Sequence, residues 1–343
     1  MATFLENLLI QPENITDLSK LINIDTLRDE RIQDYVRVIR AKNGDPVGLI
    51  GKGNPIGTTG CGCDPTYGSL APANTLKRWE LGCWVAPLKI CYKDMEGTIA
   101  EYALKNGTAI GDLNNGSQVM SEVIYPIIND LLVDLIWRIA WFGDTEAENI
   151  SDGGSITNGV DTDLITVADG LWKRIFAQVA INSAQRTAIT TNTKAAMTAS
   201  GAATALIDKM LVDAGPEIMT KSGKVIYMTQ AMATAFDLDL RKSNCCNLPW
   251  DQVTEGITTT TYNGIKYVAV AKWDEMIAAF ENGAMPYRAI LTTRDNLLVG
   301  TPAGEFVNDF DFYFDRISRN FYIYGTGKIG TMLLEDKAFQ AAY

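Results

Sequence analysis

Cys61, Cys63, Cys83 and Cys91 are the residues of this chain whose type and spacing first suggest chemistry. Four thiolates can close a tetrahedral zinc site. Their spacing is unusual for one, because the paired C-x-x-C knuckles of zinc ribbons are missing. The chain also has no histidine, which removes the commonest general base and the commonest metal ligand together. Unpaired reduced thiols are the plainer reading in a cytoplasmic protein. Cys245-Cys246 reads as a loop feature. A nucleophilic thiol needs a neighbouring base or cation, and the sequence marks none.

Two glycine motifs resemble phosphate cradles and fail on context. Gly325-Thr326-Gly327-Lys328-Ile329-Gly330 matches G-x-G-x-x-G and follows a strand pattern. A dinucleotide fold then needs a helix, another strand and an acidic residue about 20 positions on, for which residues 331–343 leave no room. A glycine-rich turn is expected there. Gly51-Lys52-Gly53 lacks the Ser or Thr that follows the lysine of a phosphate loop and the glycine that stands five residues earlier. No catalytic set, cofactor or metal is expected, and the chain reads as a non-enzyme.

Stepping from these residues to the elements that carry them, 343 residues with 47% hydrophobic content suffice for one large domain or two smaller ones. The net charge of −11 argues against broad phosphate neutralisation of nucleic acid. The first residues lack a basic stretch followed by an apolar one, so cytoplasmic synthesis is expected. Residues 4–21 read as short amphipathic pieces broken at Pro12, and 24–39 as a helix bearing Arg28, Arg31 and Arg37 next to Arg40, its charges a solvated face. Residues 43–74 carry eight glycines and four prolines, the mark of a long loop or open hairpin.

Residues 75–92 alternate as one or two strands bent at Pro87, and 96–104 can form a short helix. The longest element spans 115–142. Its apolar residues run almost unbroken, with Glu122, Asp130, Asp134 and Arg138 stacked along one stripe. Those charges exclude a membrane span. Asn115 and Gln118 can cap its start, and Gly143 is expected as a left-handed C-cap. A further apolar helical stretch lies within 164–181, and 187–200 reads as an exposed connection and the best internal boundary. An α/β unit follows: helices over 203–214 and 230–241, with central strands at 224–228, 264–271 and 288–291. Residues 309–324 form a long antiparallel hairpin, whose sheet partner should be the strands near 79–92 or lie across the long helix. The α/β unit is thus inserted in a helix-plus-sheet platform.

The phrases Tyr262-Asn263-Gly264-Ile265-Lys266-Tyr267, Arg288-Ala289-Ile290-Leu291 and Asp295-Asn296-Leu297-Leu298-Val299-Gly300-Thr301, followed by the aromatic hairpin and 327–334, resemble the major capsid proteins of tailed double-stranded DNA bacteriophages. The resemblance implies the α+β, Hong Kong 97-type capsid fold: an N-terminal arm (1–42), an extended loop (43–82), a peripheral domain (83–186) with an antiparallel sheet and a spine helix (115–142), an axial α/β domain (187–300), and a C-terminal return to the peripheral domain (301–343). It implies a self-assembling structural protein of pentamers and hexamers in an icosahedral virion shell, assembled in the host cytoplasm. Its partners would be itself, scaffolding, portal and possibly decoration proteins, with DNA enclosed without sequence-specific binding and no membrane. No lysine and asparagine pair can be assigned to the covalent cross-link of some family members, and no long charged helix precedes Phe4. An encapsulin-type nanocompartment shell is the rival within the fold, and a cytosolic thiol or zinc enzyme the rival outside it.

Overall fold

The computed structural model describes residues 30–50, 74–91, 125–147, 162–243, 253–254, 257–281, 283–302, 309–315 and 320–343. Helix α1 (Glu30–Tyr35) buries Ile32 and Tyr35, and the chain passes directly into strand β1 (Arg37–Arg40). The helix expected as far as residue 39 therefore stops at Tyr35. Val38 and Ile39 are β-branched, and their parallel pairing with β11 (Leu297–Thr301) outweighs a weak helical period. Of the expected arm, residues 30–41 are thus built into the body.

Strands β2 (Pro46–Ile50) and β3 (Asn74–Arg78) form an antiparallel hairpin, with Pro46 opposite Arg78 and Ile50 opposite Asn74. The rest of the expected loop, 51–73, lies outside the described residues, as do the helix at 96–104 and the start of the long helix with Asn115, Gln118 and Glu122. Strand β4 (Gly82–Cys91) runs straight through Pro87. The break falls instead at residues 79–81, where Trp79 is buried. Pro87 stands opposite Tyr324. Having no N–H to give, it makes a non-hydrogen-bonded pair, so its nitrogen faces the other edge of β4. Among the described residues that edge is unpaired.

Helix α2 (Tyr125–Phe142) is the described part of the long helix. Ile136, Ala140 and Trp141 are fully buried, and the polar stripe is used. Asp134 takes an ion pair from Lys272 at 2.6 Å, while Arg138 donates to the Leu164 carbonyl at 3.0 Å and lies over the Phe280 ring. Gly143 ends the helix without a left-handed backbone. A Cβ there would stand 2.1 Å from the Ala168 carbonyl oxygen, so close approach, not a cap, demands glycine.

Helix α3 (Leu171–Ile181) leads to β5 (Arg186–Thr187), α4 (Lys194–Met197), α5 (Ala202–Asp213), α6 (Pro216–Met219), β6 (Lys224–Thr229) and α7 (Gln230–Ser243). Then come β7 (Val253–Thr254), β8 (Ile257–Tyr262), β9 (Ile265–Val270), α8 (Ala271–Phe280) and β10 (Ala289–Thr293). The expected exposed connection at 187–200 buries Thr187, Ile189 and Met197. After β11 the chain forms β12 (Asp309–Asp315), β13 (Asn320–Leu333) and β14 (Gln340–Ala342).

Two large sheets result. The first has the order β1-β11-β13-β12, with β4 also on β13, so the aromatic hairpin finds the partner expected for it. The glycine motif at 325–330 lies inside β13, not in a turn. The second has the order β5-β14-β10-β6-β9-β8-β7, with β6, β9 and β10 central and β6 parallel to β9. Residues 340–342 therefore belong to this α/β sheet, whereas the sequence reading sent the whole of 301–343 to the first. The α/β sheet is covered on both faces, which explains its unbroken apolar runs. Ile226, Met228 and Leu291 pack with α5 and α7, while Tyr227 and Ile290 join the core of α2, α3 and α8. Helices there cap one another. Asp239 on α7 accepts from Ala203 N–H at the start of α5, and Asp274 on α8 accepts from Gln230 and Ala231 N–H at the start of α7.

Candidate functional site

Among the described residues, those that suggested chemistry do not converge. Cys83 and Cys91 lie on one strand eight positions apart, about 26 Å at the usual rise, so they cannot share a zinc ion. Cys83 is exposed and free, and Cys61, Cys63, Cys245 and Cys246 lie outside the described residues. The extended backbone of 325–330 cannot wrap a phosphate. A Cβ on Gly330 would stand 2.4 Å from the Glu80 carbonyl oxygen, so that glycine also serves close packing.

The charged groups that are buried are spent on structure. Lys173 on α3 bridges Asp144 at 2.5 Å and Asp169 at 2.9 Å. Burial works to raise the Asp169 carboxyl, but hydrogen bonds from Thr145 and the Lys173 ammonium overcome it and hold it below its ordinary range. Burial likewise works to lower Lys173, and the two carboxylates hold it above the usual lysine value. This cluster ties the end of α2 to the start of α3, beside the Gly143–Gly170 contact, where Gly170 N–H donates to Gly143 O at 2.7 Å. Arg288 is wholly buried, paired with Glu281 and lying over the Trp172 and Phe176 rings. Burial pushes Glu281 above the carboxylate range, and Arg288 offsets only part of that. Trp273 stands edge-on to Trp141 at 4.7 Å and to Trp172 at 5.1 Å, completing an aromatic joint between the helices and the α/β sheet.

A second joint is polar. Among the described residues the chain passes between the α3 side and the α/β sheet at 182–185, between the sheets at Arg294–Asn296, and again at 334–339. Three buried carboxamides stitch these passages into a waist. Gln185 donates to the carbonyls of Asp336 and Phe339. Asn296 donates to Thr292 Oγ1 and the Ala338 carbonyl, and accepts from Glu335 N–H at 2.7 Å. Gln340 donates to the Ala184 carbonyl and Thr187 Oγ1. Sequence reasoning missed all three, because a single Asn or Gln carries no local signal of burial.

What lies open is surface for packing. An apolar groove of about 330 Å³ runs between β4 and α2, walled by Trp84, Leu88, Leu132, Leu135 and Ile139. Leu131 and Leu164 at its rim are exposed. The β2–β3 hairpin is a separate two-stranded sheet with Leu76 in solvent. Such features suit contact with protein, not turnover of a substrate.

In sequence, no family model and no curated protein matches the chain. In structure, a chain of the satellite phage P4 procapsid that includes the size determination (Sid) protein aligns over 94% of this chain and 98% of its own, at 12% identity and a TM-score of 0.54. The chain has the phage capsid fold. A chain from Gordonia phage Cozz aligns over 91% of this one and 85% of its own at 11% identity, TM-score 0.53. A capsid chain of Myoviridae phage XM1 aligns over 91% and 90% at 10% identity, TM-score 0.50. With 91–94% of the chain aligned in these three, the likeness is not confined to the α/β unit.

Proposed function

We propose that this chain is a major capsid protein, a structural subunit that assembles with copies of itself into a closed icosahedral shell around a phage double-stranded DNA genome. The observation that carries the reading is the whole-length likeness in fold to shell chains. The separate two-stranded hairpin and buried charges committed to structure support it further. Pentamers and hexamers of the chain are the assembling units in this reading. Scaffolding, portal and decoration proteins are its expected partners in the host cytoplasm, and the virion capsid its final location. The division into an arm (1–42), extended loop (43–82), peripheral domain (83–186), axial domain (187–300) and return (301–343) is proposed on the same footing, with 340–342 lending a strand to the axial sheet. The acidic net charge of −11 suits a wall that encloses DNA without gripping it.

The test is expression at high concentration, alone and with a scaffolding protein, followed by sedimentation and electron microscopy. Rings or closed shells are expected. Stable monomers under every condition overturn the reading. Particles from the native source should hold DNA, and a cargo enzyme in its place would make the chain an encapsulin-type shell.

A further inference from the structure

The β2–β3 hairpin buries little apolar surface of its own, and a lone two-stranded hairpin is marginal in water. Its direction must therefore be set at its root. There Trp79 is buried against Ala41, Leu298 and Met332. Its ring lies so close to Gly300 that a Cβ on that residue would come within 2.7 Å. The backbone closes round the ring's own residue. Gly44 N–H donates to Trp79 O at 2.8 Å, and Trp79 N–H donates to Asp45 O at 3.1 Å.

Two residues before Trp79, the side chain of Lys77 reaches back to the body. Its Nζ donates to the Leu333 carbonyl and to Asp336 Oδ1, each at 2.5 Å. Asp336 belongs to 334–339, the last passage between the sheets. That passage is also held by Gln185 on the Asp336 carbonyl, Lys221 on Glu335 at 2.5 Å, Thr292 on the Ala338 carbonyl at 3.0 Å, and Asn296 on the amides of Leu334 and Glu335. Val47 of the hairpin and Leu334 of the passage pack against the same small cluster as Trp79, and among the described residues Lys77 supplies the hairpin's ion pair to the waist.

We propose that the root is a two-point joint, in which Trp79 is the pivot and the Lys77 ammonium a latch coupling the hairpin's direction to the waist between the two sheets. A pull on the hairpin turns it about Trp79 and loads residues 334–339 through Asp336. The joint stands on the contacts above. Its use by a neighbouring subunit rests on the capsid reading, under which a contact made at the hairpin would be felt where the sheets join.

Amide hydrogen exchange on the free, unassembled chain tests the joint without requiring a shell. Lys77→Met keeps the aliphatic stem and removes the charge. Exchange in β2, β3 and at Leu334 and Glu335 should then rise about fivefold, the size of effect a partly exposed ion pair carries. The Trp79 amide and strands β6 and β9 should not change. Asp336→Asn should raise the same amides, and the double variant should do little more than either single one. The proposal falls if the hairpin loosens while Leu334 and Glu335 keep their protection, or if the hairpin does not loosen at all. A uniform rise that includes β6 and β9 also overturns it, since Lys77 would then add only general stability; Lys77→Arg, which keeps the charge, should leave every amide as it is.

Discussion

Around Trp273 the α/β sheet meets the helices through aromatic rings, whereas around Asn296 the two sheets meet through hydrogen-bonded carboxamides. The rings bury much area, and their indole N–H groups at Trp141, Trp172 and Trp273 have no hydrogen-bond partner among the described residues. They rest edge on face, an arrangement that tolerates small rotations. Asn296 instead uses both ends of its amide on groups fixed in direction. Its net contribution to stability is smaller, because folding exchanges water hydrogen bonds for internal ones. Its contribution to a single register is larger. A shifted crossing would leave buried donors unsatisfied, at a cost a slipped ring contact does not incur.

The comparison can be broken most forcefully at Trp273. Trp273→Ala should lose about 3–5 kcal/mol of unfolding free energy, measured by urea denaturation, with the strand registers kept. A loss under about 1 kcal/mol would mean that the rings only fill space the helices can close without them. Asn296→Leu comes next. It should cost about 1–3 kcal/mol, less than the tryptophan, yet produce doubled or broadened amide signals for residues 334–339. If its spectrum stays sharp and single, the carboxamide does not specify the crossing.

The smallest effect sharpens the contrast through pH. Carboxamides do not titrate, so the bonds made by Gln185, Asn296 and Gln340 should be insensitive to acid, whereas the Asp144–Lys173–Asp169 cluster should respond. Asp169 is held below its ordinary value, so its contribution is present above the unfolded carboxylate range and is lost as pH falls through the depressed value. Lys173 is held above its ordinary value; its contribution is complete below the unfolded lysine range and fades as pH rises through the elevated one. Asp169→Asn should flatten the acid limb of the stability curve. An unchanged acid limb would assign it to other carboxylates.

The sequence made legible what periodicity encodes. The long helix follows from its apolar run, the central strands β6, β9 and β10 from short buried stretches, and the β12–β13 hairpin from alternating aromatics, including its partner near Trp84. Features that depend on a distant neighbour were hidden. Arg37 to Arg40 look helical until β11 supplies a partner, and Gln340 to Ala342 have no pattern that marks a strand. Gly143 and Gly330 carry the same letter as a cap or turn, and only the carbonyls at Ala168 and Glu80 reveal close packing. The site fared similarly: four cysteines invited a metal reading until one strand separated two of them by its length, while Gln185, Asn296 and Lys77 offered no local signal.

Pro87, on the edge of β4 that is unpaired among the described residues, has a consequence for self-association. A ten-residue strand with one edge unpaired among the described residues is a template for open-ended pairing between copies of the chain. A missing donor in the middle of that strand lets a would-be neighbour pair at either end but not continuously along it. Edge-to-edge growth into a fibre is thereby slowed without altering any contact inside the fold.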